Sequence, residues 1–389
     1  MYEVLTEEAI STDHVMKNKI VHITSVHSPS DVRIFHKEAK TLAHAGFNVT
    51  LIAQHDINET IDEIKILALP KAKNRIHRML KLPLRAFILA FKQKADIYHF
   101  HDPELLPLGM LLKLIKGKKV IYDVHEDYSK QMLSKLYLRR SIGKGIGLLV
   151  KIIEYFSSKS FDAIVTATAD ILKNFSHHKR ALCVKNFPIV SNFSIEGESE
   201  NNEKELFSLI YIGGLERIRG LTQMVKALEQ FDSDAQLKLT LCGDFYPSDY
   251  EHKLRSLKGF KKVEYLGWVK ADKIPNLLKK HDAGIVCFLP EPNHIYAMPN
   301  KIFEYMAAGL PVIASSFPLW QEIVEGHGCG ICVDPLNPRD IAEAIMYLMK
   351  HPESRKEMGR NGRETILHKY NWEKEGKKLL DLYAQLLAR

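Results

Sequence analysis

Two groups of residues have the types and spacing for chemistry. The first is the run MPNKIFEYMAAGLPVIAS at 298–315. Pro299 suits a first helical turn, where its missing N–H costs nothing. A helix that begins where a strand has ended offers free backbone N–H groups and partial positive charge, a natural seat for a diphosphate. Asn300 falls in that first turn, Lys301 adds a full charge, and Glu304 lies three residues on, where a carboxylate could accept hydrogen bonds from a ribose diol. The plain alternative is a Lys–Glu pair on an ordinary helix surface. Before this run stands YIGGLERIRGL at 211–221. Gly213 and Gly214 follow a strand-like segment, and glycines there let backbone approach a phosphate. Arg217 and Arg219 follow, and a guanidinium can donate two parallel bonds to a phosphate. Neither G-x-G-x-x-G nor G-x-x-x-x-G-K-[ST] is present at this turn.

The second group lies in the first half of the chain. DIYHFHDPELLPLG (96–109) puts His101 and Asp102 just past a strand end, with His99 on the same face two residues earlier. IYDVHED (121–127) sets His125, Glu126 and Asp127 beyond another strand, and VHSPSDVRIFHKE (26–38) places Pro29, Asp31 and Arg33 in a strand-to-helix loop. Three loops at one sheet edge thus carry polar groups, and their convergence is more informative than any one of them. No metal is expected. His99 and His101 alone are too few ligands for a structural zinc site. Asp232 and Asp234 have D-x-D spacing but precede a strand, away from the carboxyl ends where ligands bind. The five cysteines, with Cys329 and Cys332 in C-x-x-C spacing, read as reduced thiols because no partner pair is visible.

The elements that must position these residues follow from short β-rich runs alternating with helical stretches. IVHITSV (20–26), NVTLIAQ (48–54), IKILAL (64–69), DIYHF (96–100), KKVIYDV (118–124), DAIVTAT (162–168) and ALCVKNFP (181–188) make one series. FSLIYIGG (207–214), QLKLTLCG (236–243), KVEYLGW (262–268), AGIVCFL (283–289), LPVIASS (310–316) and GCGICVD (328–334) make a second. Such alternation means βαβ units and parallel sheets. The class is therefore α/β, with two Rossmann-like domains in tandem: an extension over 1–18, an N-terminal domain over 19–190, an acidic linker over 191–205, a C-terminal domain over 206–368, and a last helix over 369–389 that packs back on the first domain.

Of the net charge of +8, the stretch 71–154 supplies +11, with 18 Lys or Arg against 7 Asp or Glu, so the remainder is −3. A basic region confined to one half points to an anionic partner there. KAKNRIHRMLKLPLRAFILAFKQK (71–94) and SKLYLRRSIGKGIGLLVKIIEYF (134–156) mix basic with apolar residues, which suits an anionic membrane surface. No recognised nucleic-acid-binding motif is present. No apolar run reaches the roughly 18–20 residues of a membrane span. The first residues, MYEVLTEEAISTD, lack the order of a signal peptide. The expected location is cytoplasmic, with peripheral attachment to the membrane.

The string P-N-K-I-F-E-Y-M-A-A-G-L-P-V-I-A-S, the turn G-G-L-x-x-x-R-G before it and H-x-H-D-P-E in the first half together resemble glycosyltransferase family 4, from about Ile20 to the C-terminal helix. The resemblance implies a GT-B fold, with two domains facing a cleft, and retaining transfer of a sugar from a nucleotide-diphosphate sugar without a cofactor. It implies Glu304 on the ribose, Arg219 and Lys301 on the departing diphosphate, and His101 near the donor sugar. Two positions depart from the family pattern. The first glutamate of its Glu-x7-Glu motif falls at Tyr296, leaving Glu291 or the backbone of 294–299 to serve, and its diphosphate arginine falls at Gly214, leaving Arg217 to compensate. Pro29, Asp31, Arg33, His125 and Glu126 are then acceptor-side, the acceptor being a lipid-linked or cell-surface polysaccharide precursor. The rival readings are a nucleotide-sugar 2-epimerase, a nicotinamide-dependent dehydrogenase, disfavoured by the missing glycine fingerprint, and a non-catalytic nucleotide- or membrane-binding partner.

Overall fold

The computed structural model describes residues 18–74, 77–127, 140–193 and 206–388. The expected extension, apart from its last residue, most of the expected linker and the start of the second basic stretch lie outside them. The chain forms two compact units. One comprises Met1–Asn186 with Glu375–Arg389, and the other Phe187–Lys374.

The first unit is built on an eight-stranded sheet. Its strands are β1 (Lys19–Ile23), β2 (Asn48–Gln54), β3 (Glu59–Ile61), β4 (Ile64–Leu69), β5 (Ile97–Phe100), β6 (Lys119–Val124), β7 (Ala163–Thr166) and β8 (Ala181–Cys183). The order is β3-β4-β2-β1-β5-β6-β7-β8. Every pairing is parallel except β3 with β4. Strands such as β5 and β7 are buried throughout, as expected of a parallel sheet covered on both faces. The polar edge strand β3 escapes the apolar pattern, and β8 stops at Cys183 rather than running on to Pro188. The strand order reverses between β1 and β5, so the loops after these two strands diverge and leave a crevice at their carboxyl ends.

The second unit carries the strands β9 (Phe207–Ile212), β10 (Leu237–Cys242), β11 (Val263–Gly267), β12 (Ala283–Val286), β13 (Val312–Ser315) and β14 (Gly330–Val333) in the order β11-β10-β9-β12-β13-β14. All its pairings are parallel. The reversal lies between β9 and β12. The core packs Leu209, Tyr211, Ile285, Phe303 and Trp320 among other buried side chains. The helix Asn300–Ala307 is fixed against this sheet by Tyr305, whose buried hydroxyl accepts a hydrogen bond from Ile212 N at 3.1 Å. That bond ties the helix to the carboxyl end of β9, beside the reversal. Pro299 precedes the helix as its cap rather than lying in the first turn, with an extended ψ of 129°.

The last helix, Trp372–Leu387, begins in the second unit and from Glu375 belongs to the first. There Tyr383 is fully buried, and its hydroxyl lies 2.7 Å from His99 Nδ1.

Candidate functional site

In the second unit the turn at 213–220 and the start of the helix Asn300–Ala307 meet at the switch between β9 and β12. Gly220 makes this possible. Its φ is +77°, and a Cβ on it would fall 1.8 Å from the carbonyl oxygen of Cys287. Only glycine lets the turn lie this close to the end of β12. Leu289 N then donates to Ile218 O at 2.9 Å. Arg219 is carried over Phe288, its Cζ 4.4 Å from the ring centroid. Lys301 reaches the same ring from the helix, Nζ at 5.6 Å, and lies 5.7 Å from the Tyr211 ring. Its side chain fills the space over Gly213, φ +136°, where a Cβ would stand 2.6 Å from Nζ.

Two cations therefore converge on one aromatic floor. Among the described residues neither is within ion-pair distance of a carboxylate, and Arg219 Nε is buried with no hydrogen-bond partner. Burial, then the Arg219 charge, holds the Lys301 ammonium down to about 8, and Glu304 and Glu216 pull weakly the other way. Glu304 is half-buried one turn along. Pro299 caps no first-turn N–H through its side chain. Gly214 and Arg217 are both exposed. Asn300 is half-buried in the first turn. A cavity of about 650 Å³ lies elsewhere in this unit, lined by Asp334, Asp340 and Glu343 among others. Its acidic wall would repel a diphosphate.

In the first unit the crevice between β1 and β5 holds a buried polar cluster. Asp102 joins the two switch loops. It accepts from Thr24 Oγ1 at 2.8 Å and from Ser25 N at 2.6 Å. His101 is fully buried between His22 and His125, with His101 Nε2 3.0 Å from His22 Nδ1 and His101 Nδ1 3.1 Å from His125 Nε2. Burial pushes His101 down to about 4 and holds His22 and His99 well below the usual imidazole range, so all three rings are neutral at pH 7. Asp123, within β6, touches this group. Burial pushes its carboxyl up, but Arg33 and then the neighbouring histidines hold it well below the usual carboxylate range.

The residues expected on the acceptor side separate by role. Arg33 is not a free loop group. It is buried, donates through Nε and Nη2 to both Asp123 oxygens at 3.1–3.2 Å and through Nη1 to Val184 O at 2.8 Å, and lies 2.9 Å from Glu38. It sits in the first turn of the π-helix Val32–Ala39, whose Arg33, Lys37 and Glu38 all face inward. Asp31 caps that helix, accepting from Arg33 N and Ile34 N at 2.9 Å, and its other oxygen lies 3.0 Å from His27 Nδ1. Pro29 is buried in the same loop. His125 reaches the rim and Glu126 is exposed beside it.

The comparisons with known proteins bear on both units. Residues 32–184 match the model for Glycosyltransferase Family 4, and residues 192–365 match that for Glycosyl transferases group 1. The chain belongs to glycosyltransferase family 4. This transferase is 28% identical over 176 residues to an uncharacterized glycosyltransferase of Methanocaldococcus jannaschii, a match spanning 45% of this chain and 44% of the relative. Its fold matches sucrose-phosphate synthase of Thermosynechococcus elongatus with a TM-score of 0.76 at 18% identity, covering 96% of this chain and 100% of that one. It also matches Anabaena HepE in complex with UDP-glucose, with a TM-score of 0.71 at 15% identity over 94% and 99% of the two chains. The fold is GT-B, and the activity is sugar transfer, which sets aside the epimerase, dehydrogenase and non-catalytic readings.

Sequence reasoning missed Asp123, Glu38 and His22 in the transferase. One signal was available: an aspartate or histidine inside an otherwise apolar strand has no reason to be there unless it is paired. Phe288, the floor under the two cations, reads as one more strand residue.

Proposed function

We propose that the second unit binds the diphosphate of a nucleotide-sugar donor on Arg219, Lys301 and the start of the helix Asn300–Ala307, and that the sugar passes with retention to a lipid-linked or cell-surface polysaccharide precursor. One observation carries this: two half-buried cations converge at the switch point of a parallel sheet, and among the described residues neither lies within ion-pair distance of a carboxylate. Taking two like charges partly out of water side by side is unfavourable unless a ligand supplies the counter-charge. A diphosphate supplies it. Breaking the anomeric C–O bond sends electrons onto that diphosphate, so donors fixed in place beforehand lower the barrier as well as the binding free energy. Glu304, one turn along the helix from Lys301, takes the ribose hydroxyls in this reading. The fold neighbour HepE, which holds UDP-glucose, supports the same class of donor. Arg217 is exposed on the same turn, two residues before Arg219. The test is nucleoside diphosphate binding by thermal shift, where ligand at 100 times Kd stabilises by about 2.7 kcal/mol. Binding by wild type that survives unchanged in Arg219→Ala would remove this assignment.

The acceptor side points to an anionic lipid surface. In the first unit the helices Leu82–Lys92, Leu106–Lys116 and Arg140–Ser158 neighbour one another and leave large apolar side chains in water, among them Leu114 at 81% and Phe156 at 65% exposure, with Leu80 at 68% just before the first of them. Lys81, Lys92, Lys116, Lys151 and Lys159 lie on the same elements or at their ends. Lys116 Nζ lies 3.8 Å from the Phe91 ring centroid. Apolar side chains entering the acyl boundary with lysines at the headgroups is how amphipathic elements bind anionic bilayers. None of the helices among the described residues is long and apolar enough to cross a membrane. Sedimentation with vesicles containing and lacking anionic lipid checks this. Equal binding to both, or to neither, contradicts it.

A further inference from the structure

The histidine cluster of the first unit is not consumed by donor binding, and its outer part has the geometry of a metal centre. Three donor atoms form a nearly equilateral triangle. His101 Nδ1 is 3.1 Å from His125 Nε2, His101 Nδ1 is 3.5 Å from Asp123 Oδ2, and His125 Nε2 is 3.4 Å from Asp123 Oδ2. Zinc takes imidazole nitrogen and carboxylate oxygen at about 2.0–2.2 Å in a tetrahedron, which sets neighbouring ligand atoms about 3.3–3.6 Å apart. We propose that His101, Asp123 and His125 bind a divalent transition-metal ion of the zinc class.

The surroundings fit such an ion. Metal-bound histidines have their second nitrogen held by a partner that fixes the ring. His101 Nε2 has that partner in His22 Nδ1 at 3.0 Å. Ligating carboxylates are likewise held from behind, and Arg33 grips Asp123 through Nε and Nη2. Access exists on one side only. His101 and Asp123 are sealed while the His125 side chain is 11% exposed, so an ion would enter past His125 and keep its fourth position toward that rim. Three protein ligands and one outward position is the pattern of a site that binds a water or a ligand oxygen rather than one that only staples a fold. The inner group of His22, Glu38, His99 and His101 is a poorer site, because it is wholly enclosed and Arg33 already occupies Glu38 at 2.9 Å.

The test uses the full-length chain, stripped with chelator, dialysed, and titrated with zinc sulfate against a chromophoric chelator. Wild type is expected to take up about one equivalent in a saturable step, and removing a ligand by His125→Ala is expected to weaken it at least about 10-fold, since even partners behind the ligands are worth about 10–100-fold. His125 lies at the rim, so this variant should keep the wild-type circular dichroism and melting profile even if Asp123→Asn does not fold. His252→Ala, at an exposed position of the second unit, should leave the titration unchanged. Lack of a saturable equivalent in wild type, or a titration in His125→Ala equal to wild type, overturns the proposal. Nucleoside diphosphate binding, measured on the same samples, reports the donor site separately.

Discussion

Lys301, half-buried, and Arg33, buried, show how differently two cations behave. The Lys301 ammonium is held down to about 8 by burial and by Arg219, from an ordinary 10.5. Below that value it is charged and can hold a diphosphate; as pH rises through it, the charge is lost. Nucleoside diphosphate affinity is therefore expected to be full at pH 7 and to fall between about pH 8 and 9, the range set by that pKa. The ligand-free chain shifts the opposite way. Its folded state binds fewer protons than the unfolded one from about 8 to 10.5, so this group adds stability as pH rises across that window. Calorimetric titrations across the range check the first, and an affinity independent of pH would contradict it. Arg33 has no such freedom. It neutralises Asp123 inside the first unit, while burial and the Asp123 charge hold the Glu38 carboxyl well above its usual range, so Arg33→Ala should cost about 3–5 kcal/mol, the usual penalty for stripping one partner from a buried ion pair. Chemical denaturation should show the first unit melting early. Sequence put Lys301 at the start of a helix and Arg33 in a loop that the structure makes the first helical turn, and could not tell them apart, because a basic residue after a strand reads the same whether it faces a ligand or an internal carboxylate. Asp123 escaped for the converse reason: sitting within β6, it looked like part of the strand that carries His125 past its end.

At the scale of elements, parallel strands were legible because they are buried on both faces and so appear as unbroken apolar runs. β2 and β4 fall where the pattern puts them, at Asn48–Gln54 and Ile64–Leu69. β3 was not legible, since its Glu59, Thr60 and Ile61 lie at an edge that asks for no apolar face. The helix at Val32–Ala39 was seen as helical, but its inward charged face was not, because a ring of Arg33, Lys37 and Glu38 normally marks solvent. The turn at Gly220 is the element on which the cation pair depends. Gly220→Ala must move either the 217–220 turn or the end of β12, because the added carbon would overlap Cys287 O. The expected result is a loss of about 1–3 kcal/mol of stability from the strained φ, accompanied by loss of nucleoside diphosphate binding as Arg219 leaves Phe288. Calorimetry and a melting curve on the same sample separate the two, and binding that persists at wild-type strength would show that the turn does not set the site.

At the scale of the molecule, two Rossmann-like units were readable from alternation alone, while the exposed apolar face of the first unit needed coordinates. The helix Leu106–Lys116 lies outside the two basic stretches singled out from the sequence, yet its Leu114 is 81% exposed. Leu114→Asp should leave the secondary structure unchanged and abolish sedimentation with anionic vesicles. Wild-type sedimentation in that variant would place the lipid contact elsewhere. The division of the chain has a further result. The first unit is completed by Glu375–Arg389, a segment translated only after the whole second unit. A ribosome making about 5–20 residues per second releases the whole second unit before it delivers Tyr383 to His99. The unit whose first strands are made earlier is thus the one that finishes folding later, and a chain truncated just before Glu375 should keep a sound second unit beside a first unit open to proteases.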